Sequence, residues 1–304
     1  MNKAFQLLTH RNSILVAAIL FGLLFGEYAH FIKPYTFYLL AIVLSFSTTG
    51  IIFSDIKSKK EAFKYMATGV LLNYFLFGFV IILLAYFFAP STDIFYGFVV
   101  IAATPPGVAI IPFSFMLNGN IKLSILGTLG AFIASIFLAP LIIQVFSGNQ
   151  ELEVLPLFYS MLGLIIIPML ISRLLLLPAI KNTTFLLRGH VVNWGFAFII
   201  FTAVGINRHV FFSNFSTLFQ VAAILFLSIF VLGQVYDFVA KKMQVTKDNR
   251  MSQNLLLTLK STGFAVVISF ELFNEDAVIP SAVMSVFVLS YFLFLSFKES
   301  WKNK

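Results

Sequence analysis

Apolar positions along this chain come in runs of roughly 20 residues, the length an α-helix needs to cross the hydrocarbon core of a bilayer. Eight runs are unbroken: Ser13–Phe31, Tyr35–Phe53, Phe63–Ala89, Lys122–Phe146, Val154–Ser172, Val191–Gly205, Leu218–Ala240 and Ala277–Phe297. Two more are interrupted. Ile94–Met116 contains Thr104-Pro105-Pro106-Gly107, and Asn254–Leu272 contains Lys260-Ser261-Thr262-Gly263. The pattern predicts an all-α polytopic membrane protein with ten transmembrane helices, the fourth and ninth discontinuous. Composition agrees. The chain is 60% hydrophobic and only 11% charged, against about 45–50% and 25% in a soluble domain, so lipid is the solvent that fits. No small-residue cleavage site follows Met1-Asn2-Lys3, and Ser13 onward reads as a first span rather than a cleaved signal peptide.

Charge tests the count of ten. With the N-terminus in the cytoplasm, sixteen of the 20 Lys and Arg fall in cytoplasmic segments, Lys57, Lys59, Lys60, Arg188, Lys241 and Lys298 among them. Only Lys33 and Arg208 fall outside, while Arg173 and Lys260 lie within or at the edge of spans. Such a bias is the positive-inside signature of ten spans with both termini cytoplasmic. Nine or eleven spans would scramble it. The expected location is a bacterial inner membrane. The net charge of +8 therefore reports topology and lipid contact, and no nucleic-acid partner is expected.

The interruptions fall five spans apart, which divides the chain into residues 1–150 and 151–304. Halves with an odd number of spans insert with opposite orientation, so the pattern predicts two inverted five-helix repeats. Pro105 and Pro106 lack N–H groups and clash with the preceding turn. The backbone groups that they free must be satisfied by protein, water or ligand. The plainer reading is that Pro-Pro-Gly merely kinks one helix. The matched position of the second interruption argues against it.

At these segments the chain resembles the bile acid:sodium symporter family. There the fourth span reads Cys-Pro-Gly-Gly-Thr-Ala-Ser-Asn where this chain has Thr104-Pro105-Pro106-Gly107-Val108-Ala109-Ile110-Ile111. The ninth reads Glu-Val-Gly-Met-Gln-Asn-Ser-Gly-Leu-Ala where this chain has Leu256 through Ala265. Val278 to Val286 and the segment Thr49-Gly50-Ile51 running into Asp55 are similar in style. The resemblance implies broken helices that cross at the centre. It implies a panel domain of spans 1, 2, 6 and 7 and a core domain of spans 3–5 and 8–10. It also implies transport of an organic anion coupled to sodium. The sodium ligands carry over poorly. The fourth-span Ser and Asn fall on Ile110 and Ile111, the ninth-span Glu on Leu256 and the Gln on Lys260. The third-span Gln falls on Asn73, and two hydroxyls are kept as Ser124 and Thr128. Sodium prefers oxygen ligands and a Lys ammonium would repel it, so coupling in the family's manner is expected to be lost. No other cofactor or metal is expected.

Lys260 is the sharpest single feature. It lies about eight residues beyond Ser252, roughly 12 Å deep at 1.5 Å per residue. A Lys at a helix centre costs about 2.5–3.5 kcal/mol on insertion scales. It should face partners, and the candidates are Asn73, Ser124, Thr128, Ser261, Thr262 and the freed carbonyls of the fourth span. Three readings follow: a fixed cation in place of sodium, a proton-coupling group, or a direct contact for an anionic substrate. The blander alternative is snorkelling to the cytoplasmic face. Snorkelling is the expectation for Arg173 at the end of the sixth run. Asp237 and the four histidines, His10, His30, His190 and His209, read as interfacial or loop residues. Asn118-Gly119-Asn120 reads as a turn.

A secondary carrier with alternating access is the predicted function. A sensor or receptor module lacks an attached soluble domain. An intramembrane enzyme lacks an acid/base pair at helical spacing and a Gly-x-Ser-x-Gly elbow, and with no Cys there is no thiol nucleophile, so an enzyme is not expected. A pump lacks the phosphate-binding Gly-x-x-x-x-Gly-Lys-Ser/Thr loop. The surroundings of the breaks (Val108, Ile110, Ile111, Phe264) are apolar and suit an amphipathic organic anion. Import or export and oligomeric state are left open.

Overall fold

The computed structural model describes residues 11–50, 58–107, 109–146 and 154–302. Lys3, His10, the end of the second run to Phe53, Asp55, Lys57, Val108, Glu151, Glu153 and Lys304 lie outside the described residues. All regular structure in the described residues is helical apart from one isolated β-bridge. In chain order, setting aside single turns, the helices are α1 (Arg11–Phe25) and α2 (Thr36–Thr48), α3 (Lys59–Phe88) and α4 (Thr92–Ala103). Then come α5 (Ile110–Met116), α6 (Ile121–Phe146), α7 (Val154–Leu174) and α8 (Lys181–Ile206). The last four are α9 (Phe215–Lys242), α10 (Lys247–Thr258), α11 (Thr262–Leu272) and α12 (Ile279–Lys302).

Six helical stretches of the described residues are long and apolar enough to cross a membrane, and Thr92–Ala103, Ile165–Leu174 and Thr262–Leu272 are shorter apolar helices. Large apolar side chains such as Phe21, Phe79, Phe137 and Phe219 point outward and are more than half exposed. Such a surface fits lipid rather than water, and the chain is an integral membrane protein. The longest stretch, Ser13–Thr48, folds back on itself. Ile14 shares a groove with Trp194 and Ala197, and Val43 packs on Gly195. In a straight helix those two residues would stand about 43 Å apart. The reversal takes place through two 3₁₀ turns, Gly26–Tyr28 and Lys33–Tyr35, where Gly26 backs onto Gly205 too closely for a side chain on either.

Three helix starts carry polar side-chain caps. The Ser58 hydroxyl accepts from Glu61 N, Ser91 from Ile94 N and Asn214 from Thr217 N, each satisfying a first-turn donor. Two helix starts differ most from those read in the sequence. α8 begins at Lys181 rather than Val191, and α10 at Lys247 rather than Asn254. Both helices continue as polar turns beyond their apolar part, and hydrophobicity alone does not see such turns. α3 and α9 each carry a π-helical stretch, Leu71–Phe77 and Phe226–Val231. α8 packs along α1 and α2, and α7 along α2 and α6. α3 packs along α6, where Gly69 meets the Gly127 backbone and Gly130 meets Met66. Small residues let helices approach closely in lipid, where no hydrophobic force drives them together.

Candidate functional site

The two interruptions meet. Helix α4 ends at Ala103 because Thr104 precedes a proline and takes extended angles (φ −72°, ψ 150°). Helix α10 ends at Thr258, and Leu259 is likewise extended. The two extended segments form an antiparallel bridge centred on Pro106 and Lys260. Gly107 N donates to Leu259 O and Ser261 N to Pro105 O, both at 3.0 Å. The bridge bonds thus flank the central pair, so the missing N–H of Pro106 takes nothing from it. This arrangement answers where the freed backbone groups go at mid-bundle.

The Lys260 side chain, about 2% exposed, reaches the far side of the bridge. Its Nζ donates to Asn73 Oδ1 at 2.7 Å, Thr104 O at 2.7 Å, Ala102 O at 3.0 Å and Asn73 O at 3.3 Å. The Tyr74 and Phe77 rings lie 4.9 and 5.4 Å from it, within cation–π range. Ala102 O and Thr104 O belong to the C-terminal end of α4, where carbonyls lack helical partners and the helix dipole is negative. Asn73 lies in the π-helical stretch of α3. Its Nδ2 also reaches Leu256 O of α10, at 3.5 Å, so one amide ties α3 to the ninth span on both sides of that span's interruption, at Leu256 and at Lys260. Among the described residues no carboxylate pairs with Lys260. The ammonium sits in a shell of neutral oxygens and aromatic faces.

The structure gathers Asn73, Thr104, Pro105, Pro106, Gly107, Lys260 and Ser261 at one crossing, with Thr262 and Gly263 opening α11 beside it. It corrects the reading of Ser124 and Thr128 as partners of Lys260. Both hydroxyls are buried on α6 with no hydrogen-bond partner among the described residues, and four other oxygens surround the ammonium. They sit one turn apart around Gly127, which packs on Leu256, an apolar residue that offers them nothing. Arg173 Nη2 donates to Thr48 O at the end of α2, 3.0 Å away. Asp237 pairs with Arg250 and Lys298, tying α9 to α10 and α12.

Several participants escaped the sequence reading. Tyr74 and Phe77 were lost among 39 Phe and 10 Tyr. The Ser114 and Ser252 hydroxyls, 2.7 Å apart, join α5 to α10, and their only signal was polarity within apolar runs. Arg188 was counted as a topology charge. It lines a cavity of about 390 Å³ with Ser47, Pro112, Asn193 and Phe196. A smaller void of about 40 Å³ at the crossing shares Ala109 and Phe196 with that cavity.

A sequence profile of the sodium bile acid symporter family matches residues 36–214, which takes in the first interruption and stops short of Lys260. A search among curated proteins returns no match.

Proposed function

Because the chain belongs to the sodium bile acid symporter family, a family of transporters, we propose that it is a secondary-active carrier of a small organic anion, working by alternating access without sodium. The observation that carries this reading is the Lys260 shell. Four oxygens within 3.3 Å of one Nζ resemble the coordination a hard cation seeks, and here a tethered ammonium fills it. The cation that joins the two broken helices is part of the chain, and no sodium is needed at that place. The carboxylate a sodium site would favour is replaced by Leu256, which is fully buried.

Of the three roles for Lys260, the fixed cation is the best supported. A direct substrate contact is disfavoured, because more acceptors surround the ammonium than it has protons to donate. Transport would then run as uniport, exchange or proton coupling.

Two further observations support ten spans in two inverted halves. The interruptions fall in spans four and nine, and the π-helical stretches in spans three and eight. The bond pattern of an antiparallel bridge also has local two-fold symmetry, which relates Pro106 to Lys260, as an inverted repeat requires. The packing of α8 on α1 and α2, and of α7 on α2, supports a panel of spans 1, 2, 6 and 7 beside a core. Orientation with both termini inside rests on the charge bias.

The test is uptake into proteoliposomes from a panel of organic anions, with sodium and proton gradients imposed separately. Uptake indifferent to a sodium gradient is expected. Sodium-driven uptake would overturn the reading of Lys260, and a lack of flux for every anion, in the presence of demonstrated binding, would overturn the carrier.

A further inference from the structure

If the Lys260 ammonium is occupied, an anionic substrate needs another cation. We propose that Arg188 is that cation, and that the cavity it lines binds the carboxylate-bearing end of an amphipathic organic anion. The inference rests on the carrier reading for its occupant and on the cavity for its place.

Arg188 stands on α8, half-buried, with the chain packed closely around it. Its guanidinium lies so near Gly50 that any side chain there would collide with it. Among the described residues its one hydrogen bond is a long one, from Nη2 to Ser47 O at 3.4 Å. Among the described residues no carboxylate pairs with it. A guanidinium has five N–H donors in a planar fork suited to a carboxylate, and most of them find no partner among the described residues. The neighbouring C-terminal end of α2 favours the charge without neutralising it.

The cavity supplies the rest. Its volume of about 390 Å³ is within the range of small-molecule sites, which combine apolar walls with a few polar anchors. Asn193, five residues beyond Arg188 on α8, also lines the cavity and adds a second polar group. Pro112, Val192 and Phe196 form an apolar wall, and through Ala109 and Phe196 that wall continues to the void at the crossing. A ligand held at Arg188 by its anionic end would therefore lay its apolar body toward the bridge between the broken helices. The site lies between α8 on one side and the α4–α5 interruption on the other, so its shape depends on how those two parts stand to one another.

The chain has no cysteine, which makes a direct test possible. Asn193→Cys in the full-length detergent-purified protein gives the cavity one thiol. It is labelled with an anionic methanethiosulfonate (ethylsulfonate) and a cationic one (ethyltrimethylammonium). The rate ratio of anionic to cationic reagent should exceed that of a surface thiol at Ser91→Cys. Arg188→Gln should lower the ratio about tenfold, and Arg188→Lys should keep most of it. Decanoate should slow labelling and methyl decanoate should not, and Arg188→Gln should remove the difference. A ratio untouched by Arg188→Gln, equal protection by acid and ester, or protection by neither would overturn the assignment. In proteoliposomes the two readings separate. Anion flux that survives Arg188→Gln unchanged sinks the site and leaves the carrier standing, whereas charge-selective binding without flux does the reverse.

Discussion

At the residue scale the molecule turns on one ammonium and the oxygens that receive it. Removing Lys260 leaves four acceptors without the donor that they face, and unsatisfied buried polar groups cost about 1–3 kcal/mol each. Lys260→Ala is therefore expected to lower the melting temperature in detergent and to abolish flux. The shell that it vacates is made of carbonyl oxygens and an amide, which suit a free cation. Sodium should then stabilise Lys260→Ala relative to matched choline, through binding to the folded state alone, and leave the wild type unchanged. A sodium-dependent melting shift in the wild type, or its absence in the variant, would show that the ammonium does not stand in the cation's place. Asn73 offers a milder probe. Asn73→Leu removes the 2.7 Å acceptor to Nζ and the contact to Leu256 O. A hydrogen bond to a charged group contributes about 1.5–3 kcal/mol, and thermal denaturation should register a loss of that order. An unchanged melting temperature would argue that the other three oxygens suffice.

At the element scale the helices associate through seams of small residues. Gly69 and Gly127 let α3 and α6 touch backbone to backbone, and α3 carries Asn73 while α6 packs behind α10. Gly127→Leu should force α6 away from α3 and Leu256, reducing the yield of monodisperse protein on size exclusion. Gly163→Ala, at a position where the tip of Ile167 is the nearest neighbour among the described residues, 3.9 Å away, should leave it unaltered. Equal yields from the two variants would remove the seam from the account. Much at this scale was legible beforehand. Apolar runs marked the helices, and Pro105-Pro106 and Gly263 marked the interruptions, because proline acts locally and its effect can be read without a partner. The partners of Lys260 were harder to read. Ala102 O and Thr104 O are backbone atoms that every residue has, and they become available only where a helix ends. Ser124 and Thr128 misled for the opposite reason. Their chemistry suited a cation, but their place on α6 keeps them from this one. The polar first turns of α8 and α10 were missed because hydrophobic length does not mark where a helix leaves the membrane.

At the scale of the whole molecule the question is whether the α1, α2, α7 and α8 group moves against the rest. The cavity beside Arg188 opens at one end of α8. Near the other end, Lys33, in the turn between α1 and α2, pairs with Glu275, between α11 and α12, at 2.7 Å, and lies over the Phe270 ring at 5.1 Å. The pair is about a third to a half exposed, so its direct contribution to stability is small. Its position matters more, because it joins the two groups at the end away from the cavity. If carriage works by rocking one group against the other, this join must open once per cycle. Replacing both residues, Lys33→Cys with Glu275→Cys, places the only two thiols of the chain there. Long side chains separate the two backbones, so a bifunctional methanethiosulfonate with a short spacer suits the gap better than a direct disulfide, which needs Cα atoms within about 7 Å. Cross-linking should reduce anion flux to background, and reduction should restore it. Either single-cysteine variant treated in the same way should transport as before. Flux that continues through a fully cross-linked protein would mean that the two groups stay together throughout transport, and alternating access would need a different moving part.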